Sequence, residues 1–281
     1  MKLNISAIAK PLVGISVNLF SRNKYGRYVY SLIVRNTMDQ KQTVKFGDVK
    51  IVFHVPNRLN KYRADSFASK EPETLQWIDS IPSGSILWDI GANVGLYSCY
   101  AAKSRNCLVY AFEPSVFNIE LLARNIFQNE LTKHITIVPL PLSDKLAENT
   151  LNMTSKDWGG ALSSFGETYG QDGQEMEKIF EFKTIGLTML DAVNLLKIPL
   201  PDYIKIDVDG IEHLILKGGN SVLENVKGVI IEIDESFERQ FKDSGQYLTE
   251  AGLVMKYKSS ADKSADPKLK NCYNQVWVKQ I

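Results

Sequence analysis

The apolar pattern of the chain changes character near residue 84. Beyond that point short apolar runs recur, each ending in acidic or small residues. They are ILWDIGA (86–92), LVYAFEP (108–114), ITIVPL (135–140), YIKIDVD (203–209) and GVIIEID (228–234). Continuous runs of this length predict strands covered on both faces. Helical stretches lie between them. In SVFNIELLARNIFQN (115–129), Val116, Ile119, Ala123 and Ile126 fall on one stripe behind Ser115 as N-cap. FEFKTIGLTMLDAVNLL reads as a strand and then a helix capped by Thr188, with Leu190, Val193 and Leu196 inward. Strand–helix alternation predicts an α/β fold, a mostly parallel sheet wound on both faces in three layers. The tail departs from it. LVMKYK and YNQVWVKQI have only a polar loop between them, which predicts an antiparallel pair at one sheet edge.

Residues 1–83 read as an extension packed on the domain formed by 84–281. TVKFGDVKIVFHV (43–55) predicts a hairpin turning at Gly47-Asp48. EPETLQWIDSIPSGS predicts a helix with Pro72 in its first turn and Leu75 and Ile78 on one face. The apolar stretch 5–20 is interrupted by Lys10-Pro11 and Gly14 and is shorter than the ~20 residues that span a bilayer. It has no convincing secretory pattern. A helix packed on the domain is the first expectation. Peripheral membrane association through Leu12, Val13, Ile15, Val17, Leu19 and Phe20, beside Lys10, Arg22, Lys24 and Arg27, is the second. A polar stretch, 154–178, carries five glycines with Trp158, Phe165 and Tyr169 and predicts a lid whose aromatic rings could stack on a sugar.

Composition narrows the function. The 281 residues hold 33 Lys and Arg against 32 Asp and Glu, so a net charge of +1 supplies no broad field for nucleic acid. The 44% hydrophobic and 23% charged fractions are those of a globular protein. Three cysteines, Cys99, Cys107 and Cys272, are odd in number and sit in apolar or strand-like surroundings, which suits a reducing cytoplasm. Nothing in the sequence fixes an oligomeric state.

The strand ends carry the chemistry, since open parallel sheets bind ligands beyond the carboxyl ends of their strands. After the first run comes DIGANVG (89–95). Gly91 and Gly95 permit a sharp turn and a close approach of backbone to ligand. Asn93 stands where a dinucleotide loop has its second glycine, and Asp89 would set a negative charge beside a pyrophosphate, so a cationic or zwitterionic cofactor fits better. Glu113 ends the second run, one βαβ unit later, where a carboxylate can accept hydrogen bonds from both hydroxyls of a ribose.

Together these features resemble the class I S-adenosylmethionine-dependent methyltransferases, which are Rossmann-like. More closely, the chain resembles the FkbM-type methyltransferase family. WDIGANVGLYS, VYAFEPSVFNIELLARNI, PLSD, IKIDVDGIEHLILKGG and GVIIEI stand in the family's order over roughly residues 71–257. Two departures are Asp209 where the family more often has Glu and His213 where an apolar residue is usual.

The resemblance implies that Asp89, Gly91, Asn93 and Gly95 line the methionine end of S-adenosylmethionine. Glu113 would hold the ribose, and Ser143 or Asp144 would reach the adenine amine. Asp207, at the sheet centre, would stabilise the sulfonium, bind the acceptor or remove its proton. Lys205, on the same strand face, would be its ion-pair partner, and Glu232 would join them. Glu212, His213 and Trp158 are candidate acceptor contacts, and Glu212 could instead cap its helix. Asp207, Asp209 and Glu232 could accept a hard divalent ion, but no His or Cys cluster accompanies them and no metal is assigned. The expected activity is O-methylation of a hydroxyl on a glycan or other polyhydroxylated small molecule. Open alternatives are an N-methyltransferase, a non-catalytic S-adenosylmethionine-binding module and, disfavoured by Asn93 and the antiparallel tail, a nicotinamide oxidoreductase.

Overall fold

The computed structural model describes residues 5–259 and 271–280. The chain opens with α1 (Ile5–Phe20) and α2 (Lys24–Met38), followed by the hairpin β1 (Lys41–Phe46) and β2 (Val49–His54). Then come α3 (Arg58–Asp65) and α4 (Pro72–Ser80). The alternating part runs β3 (Ile86–Ile90), α5 (Leu96–Arg105), β4 (Leu108–Phe112), α6 (Val116–Gln128) and β5 (Ile135–Val138). An inserted antiparallel sheet follows, from β6 (Ala147–Met153), β7 (Ser163–Phe165) and β8 (Phe180–Gly186). The chain ends with α7 (Met189–Asn194), β9 (Tyr203–Ile206), α8 (Glu212–Lys217), α9 (Asn220–Leu223), β10 (Gly228–Asp234), α10 (Glu238–Glu250), β11 (Leu253–Lys258) and β12 (Cys272–Lys279).

Seven strands form the main sheet in the order β11-β12-β10-β9-β3-β4-β5. β10, β9, β3, β4 and β5 are parallel, and β12 runs antiparallel to both β10 and β11. The five apolar runs are therefore the parallel core, and the tail pair closes one edge. The strand order reverses between β3 and β9, where the loops after the two strands part and leave a crevice.

Alternation along each strand feeds two cores, one on each face. Trp88, Ile90, Phe112, Ile204 and Ile206 pack on one side with Leu151, Met153 and Phe165 of the inserted sheet and with Leu214 to Leu216 of α8. Leu87, Val109, Ala111 and Ile230 pack on the other with Ile51 and Phe53 of the hairpin, Leu75 and Ile78 of α4, and Tyr100 of α5. The hairpin, turning at Gly47, and α4 thus share a core with the sheet.

Three local expectations are corrected. From Lys10 to Phe20 every residue of α1 is exposed, so this helix does not pack on the domain. In α6 the buried residues are Asn118, Leu121, Leu122, Asn125 and Ile126, while Val116 and Ala123 face solvent. The stripe was displaced because its two asparagines are buried by hydrogen bonding: Asn125 accepts from the His54 amide at 2.8 Å and donates to the Val94 carbonyl at 2.8 Å. In α7 the Thr188 cap is present as a capping box with Asp191, but Met189 and Ala192 point inward, and Leu190 and Leu196 are exposed.

Candidate active site

The crevice beyond the tips of β3, β9 and β10 holds a cavity of about 690 Å³, within the range of small-molecule sites. Gly91, Ala92 and Asn93 of the β3 loop, Lys205, Asp207 and Asp209 of the β9 end, and Glu232 of β10 line it. A smaller apolar cleft of about 30 Å³ adjoins it through Gly91 and runs between Pro114, Leu140, Leu142, Val208 and Ile211. Gly91 is required where it stands. Its φ is +82°, and a Cβ there would lie 1.9 Å from the Asp207 carbonyl oxygen. Only a glycine lets the β3 loop pass over the end of β9.

A buried cation sits at the floor. Asp89 and Lys205 are register partners on adjacent strands, which places their side chains on the same face. The Lys205 ammonium lies 3.5 Å from Asp89 and 3.2 Å from Asp207, and 5.3 Å above the Tyr97 ring. Burial disfavours its charge, but Asp207, Asp89 and Glu71 outweigh that and hold its pKa above the ordinary lysine value. Asp89 also accepts a 2.5 Å hydrogen bond from Ser98 of α5 and is fully enclosed. Asp207 is different: its side chain is 28% exposed and opens into the cavity. Asp209 has a φ of +64°, and burial together with repulsion from Asp207 and Glu232 pushes its carboxyl up to about 7. Glu232 accepts from Gln171 at 2.7 Å.

Glu113 is buried at the tip of β4. One oxygen accepts from the Asn93 amide at 2.7 Å, and the other from the Ser115 amide at 2.8 Å and from Asn118 at 3.4 Å. Burial is the largest influence on it and lifts its pKa to about 7 against those hydrogen bonds. Its partner Asn93 lines the large cavity, and its neighbour Pro114 lines the small one. Gly95, in left-handed conformation at φ +84°, ends the same loop where α5 begins, packed against Leu122.

The segment expected to be a lid joins β6 to β8 and lies across this crevice. The Gly160 carbonyl accepts from Asn93 at 2.9 Å and from Asn118 at 3.0 Å, the two residues that also bond Glu113. The Leu162 amide donates to Asp209 at 2.7 Å. Its contribution to the cavity is mostly polar, through Gln171, Asp172, Gln174, Glu175 and Glu177, with Ala161, Leu162 and Met176 as its apolar part. The aromatic residues stand outside the large cavity. Phe165 is buried in the core and lines the small cleft, and Tyr169 packs edge-on against Phe237 at 5.3 Å. Trp158 rests near α6, donating to Glu120 at 3.2 Å, and lines neither cavity.

Seven other expected site residues also line neither cavity: Asp89, Gly95 and Glu113 at the strand ends, and Glu212, His213, Ser143 and Asp144. Glu212 is buried beneath the turn that follows β9, accepting from the amides of Val208 at 3.1 Å and Gly210 at 3.0 Å and from Gln240. Burial pushes its carboxyl up to about 8. It shapes the Asp207–Gly210 turn and does not face an acceptor. His213 is buried against Phe237 with ring centroids 5.7 Å apart, and burial lowers its pKa to about 4. The surrounding hydrocarbon, with no hydrogen-bond partner on either ring nitrogen among the described residues, keeps the imidazole neutral. Ser143 is buried behind Leu142, with its amide bonded to the Leu187 carbonyl at 2.7 Å. Asp144 forms an exposed ion pair with Lys217 at 2.9 Å.

Sequence reasoning missed the wall supplied by residues 59–71 and by Tyr97. Lys70 bonds Glu71 at 2.8 Å, and Tyr97 donates to the other Glu71 oxygen at 2.9 Å. Burial works against the Lys70 charge, but Glu71, Asp207 and Glu232 hold its pKa above the ordinary range. The only available signal was Lys70-Glu71 directly before the Pro72 that starts α4. In all, the cavity is lined by seven acidic residues, Glu71, Asp172, Glu175, Glu177, Asp207, Asp209 and Glu232, and by three basic ones, Arg63, Lys70 and Lys205. The excess of negative charge favours a cationic ligand.

Comparison with known proteins places most of the alternating part of the chain in one family. Residues 89–255 match the family described as Methyltransferase FkbM domain. A curated relative, the hexuronic acid methyltransferase AglP of Haloferax volcanii, is 29% identical over 176 residues, 63% of this chain and 66% of its own length. The chain therefore spans just under two thirds of that relative. Among solved structures, methyltransferase FkbM from Methylobacillus flagellatus KT is similar at TM-score 0.47 and 13% identity, over 70% of this chain and 44% of that one. P. horikoshii TYW2, solved with MeSAdo, is similar at TM-score 0.47 and 12% identity, over 86% of this chain and 73% of that one.

Proposed function

This chain belongs to the FkbM methyltransferase family, and from that premise we propose that it uses S-adenosylmethionine to methylate a hydroxyl of a glycan, with a hexuronate-containing saccharide as the first candidate acceptor. The acceptor class is suggested by the relative that acts on hexuronic acid. The observation that carries the reading is the pairing of Asp207, open to an acid-rich cavity, with Lys205 buried behind it.

The residues fit such a cofactor. S-adenosylmethionine supplies an electrophilic methyl group on a cationic sulfur. The carboxylate excess suits that cation, whereas a dianionic pyrophosphate would meet Asp207, Asp209 and Glu232. Glu113 has roughly one acceptor site left over after its three protein contacts, enough for one ribose hydroxyl. Pro114, Leu140 and Leu142 offer an apolar slot for a flat base. Ser143 and Asp144 lie behind that slot, so an adenine amine would reach them only after a shift of the loop.

The chain's own part in the reaction is positioning and proton transfer. Asp207 is placed to accept the proton of the acceptor hydroxyl, whose oxygen would take the methyl group as the carbon–sulfur bond breaks, a role worth ~10²–10⁴ in rate. Lys205 keeps that carboxylate oriented, and its second partner, Asp89, keeps the ammonium paired when Asp207 is protonated. The strap from Gly159 to Leu162 covers the site and limits water. The test is mass spectrometry of a saccharide panel incubated with the enzyme and ¹³C-methyl-labelled S-adenosylmethionine. An O-linked label on a hexuronate-containing glycan is the expected product. Labelling of amines alone would replace the hydroxyl acceptor with a nitrogen one, and binding without transfer to any acceptor would favour a non-catalytic module.

A further inference from the structure

The first two helices leave an apolar surface uncovered. Leu12, Val13, Ile15, Leu19 and Phe20 of α1 are all at least half exposed, Ile15 at 64%. Lys10 is the only charge in the helix, and Leu12, Val13, Ile15, Val17, Leu19 and Phe20 form a broad apolar face opposite Lys10, Gly14 and Asn18. α2 adds Tyr25, Tyr28, Val29, Ile33 and Val34. An exposed apolar patch of this extent marks an interaction surface.

The pair is built as a hairpin. A Cβ on Gly26 would stand 1.8 Å from the Phe20 carbonyl oxygen, so only glycine lets α2 pass the end of α1 this closely. Asn23 caps α2 by accepting from the Gly26 amide at 2.8 Å, Arg27 donates to the Ser21 carbonyl at 3.1 Å, and Phe20 packs edge-on against Tyr30 at 5.9 Å. The apolar faces are therefore held together on one projecting unit.

Charge identifies what would cover it. Residues 1–38 contain Lys2, Lys10, Arg22, Lys24, Arg27 and Arg35 and no acidic residue, although the whole chain carries only +1. Arg22, Lys24 and Arg27 are exposed around the turn between the helices. A second copy of the chain would bring like charges together at this surface. An anionic bilayer complements both features, apolar side chains for the acyl boundary and cations for the headgroups. With 16 residues, α1 is about 24 Å long and does not cross a hydrocarbon core of about 30 Å. We propose that the α1–α2 hairpin is an interfacial anchor that lays α1 into an anionic lipid surface with the basic turn against the phosphates.

Sedimentation of the full chain with vesicles tests this, using pure phosphatidylcholine and phosphatidylcholine containing one third phosphatidylglycerol. Partitioning at least tenfold stronger into the anionic vesicles, and weakened by high salt, is expected. The triple variant R22Q/K24Q/R27Q should lose about a hundredfold, at about fivefold per charge. The variant I15D/L19D should lose binding and keep the wild-type melting temperature, since these side chains touch no core. A dye on V13C gives an independent reading, because Cys99, Cys107 and Cys272 are buried and remain unlabelled. Its emission should shift to the blue on anionic vesicles alone. The proposal is overturned by an unshifted dye, by equal partitioning into both vesicle types, or by a dimer in sedimentation equilibrium that I15D/L19D dissociates.

Discussion

Replacing Glu113 perturbs two things that the structure allows to be separated. Its carboxylate accepts from the amides of Asn93 and Ser115, so Glu113→Ala strands two buried N–H groups. At ~1–3 kcal/mol each, the fold should lose about 2–6 kcal/mol. Glu113→Gln keeps one amide oxygen as acceptor and should lose about half of that. Both variants remove the anionic acceptor of the ribose. Three protein contacts already occupy the carboxylate, so of its roughly four acceptor sites one is left for a ligand hydrogen bond. Each charge-assisted bond is worth ~1.5–3 kcal/mol, which places the loss of S-adenosylhomocysteine affinity at roughly one to two decades for one bond. Thermal melts give the first quantity and isothermal titration calorimetry the second. A Glu113→Gln protein that folds as the wild type does and binds S-adenosylhomocysteine with unchanged affinity refutes the assignment of this carboxylate as the ribose anchor.

Three other expectations follow from the same geometry. Asp207→Asn should lower kcat by about 10²–10⁴ and S-adenosylhomocysteine affinity by less than tenfold, because Lys205 keeps Asp89 as its partner; steady-state methyl transfer beside calorimetry checks the split, and an unchanged kcat removes Asp207 from proton transfer. Gly91→Ala sets a Cβ against the end of β9 at φ +82° and should both lower the melting temperature and abolish cofactor binding; a variant of wild-type stability would show that the β3 loop moves freely. Stability should fall as pH rises from about 4.5 to about 8, because folded Glu113, Asp209 and Glu212, lifted to about 7, 7 and 8 by burial, retain protons that the unfolded chain has already released. The depressed carboxyls of Asp144 and Asp202 act in the opposite sense below that window, and the lowered His54 and His213 act in the opposite sense up to about pH 6.5, so the fall is clearest between about pH 6.5 and 8, and a melting temperature constant there would contradict the buried protonated acids.

The sheet was legible because its strands are buried on both faces. In β3, Leu87, Trp88 and Ile90 feed opposite cores, and nothing polar interrupts the run before Asp89. The acid at each tip was legible for the same reason, as a break in an apolar run. What stayed hidden was polar and non-local. β6 reads AENTLNM, with no apolar run, and pairs with β8 across the inserted lid segment. The α6 stripe was misplaced because Asn118 and Asn125 are buried through hydrogen bonds to partners distant in sequence. Lys70, Glu71 and Tyr97 meet Lys205 only in three dimensions. His213 and Trp158 illustrate the converse error, since chemically versatile side chains near a motif were given roles while the fold uses them for packing.

Whether the acid-lined crevice takes a sulfonium cofactor is most directly tested by calorimetric titration of the intact chain with S-adenosylmethionine and, separately, with NADH. Saturable one-to-one binding of S-adenosylmethionine, weakened by roughly one to two decades in Glu113→Gln, with no heat from NADH is the predicted result. Binding of NADH in the absence of any response to S-adenosylmethionine would contradict the account.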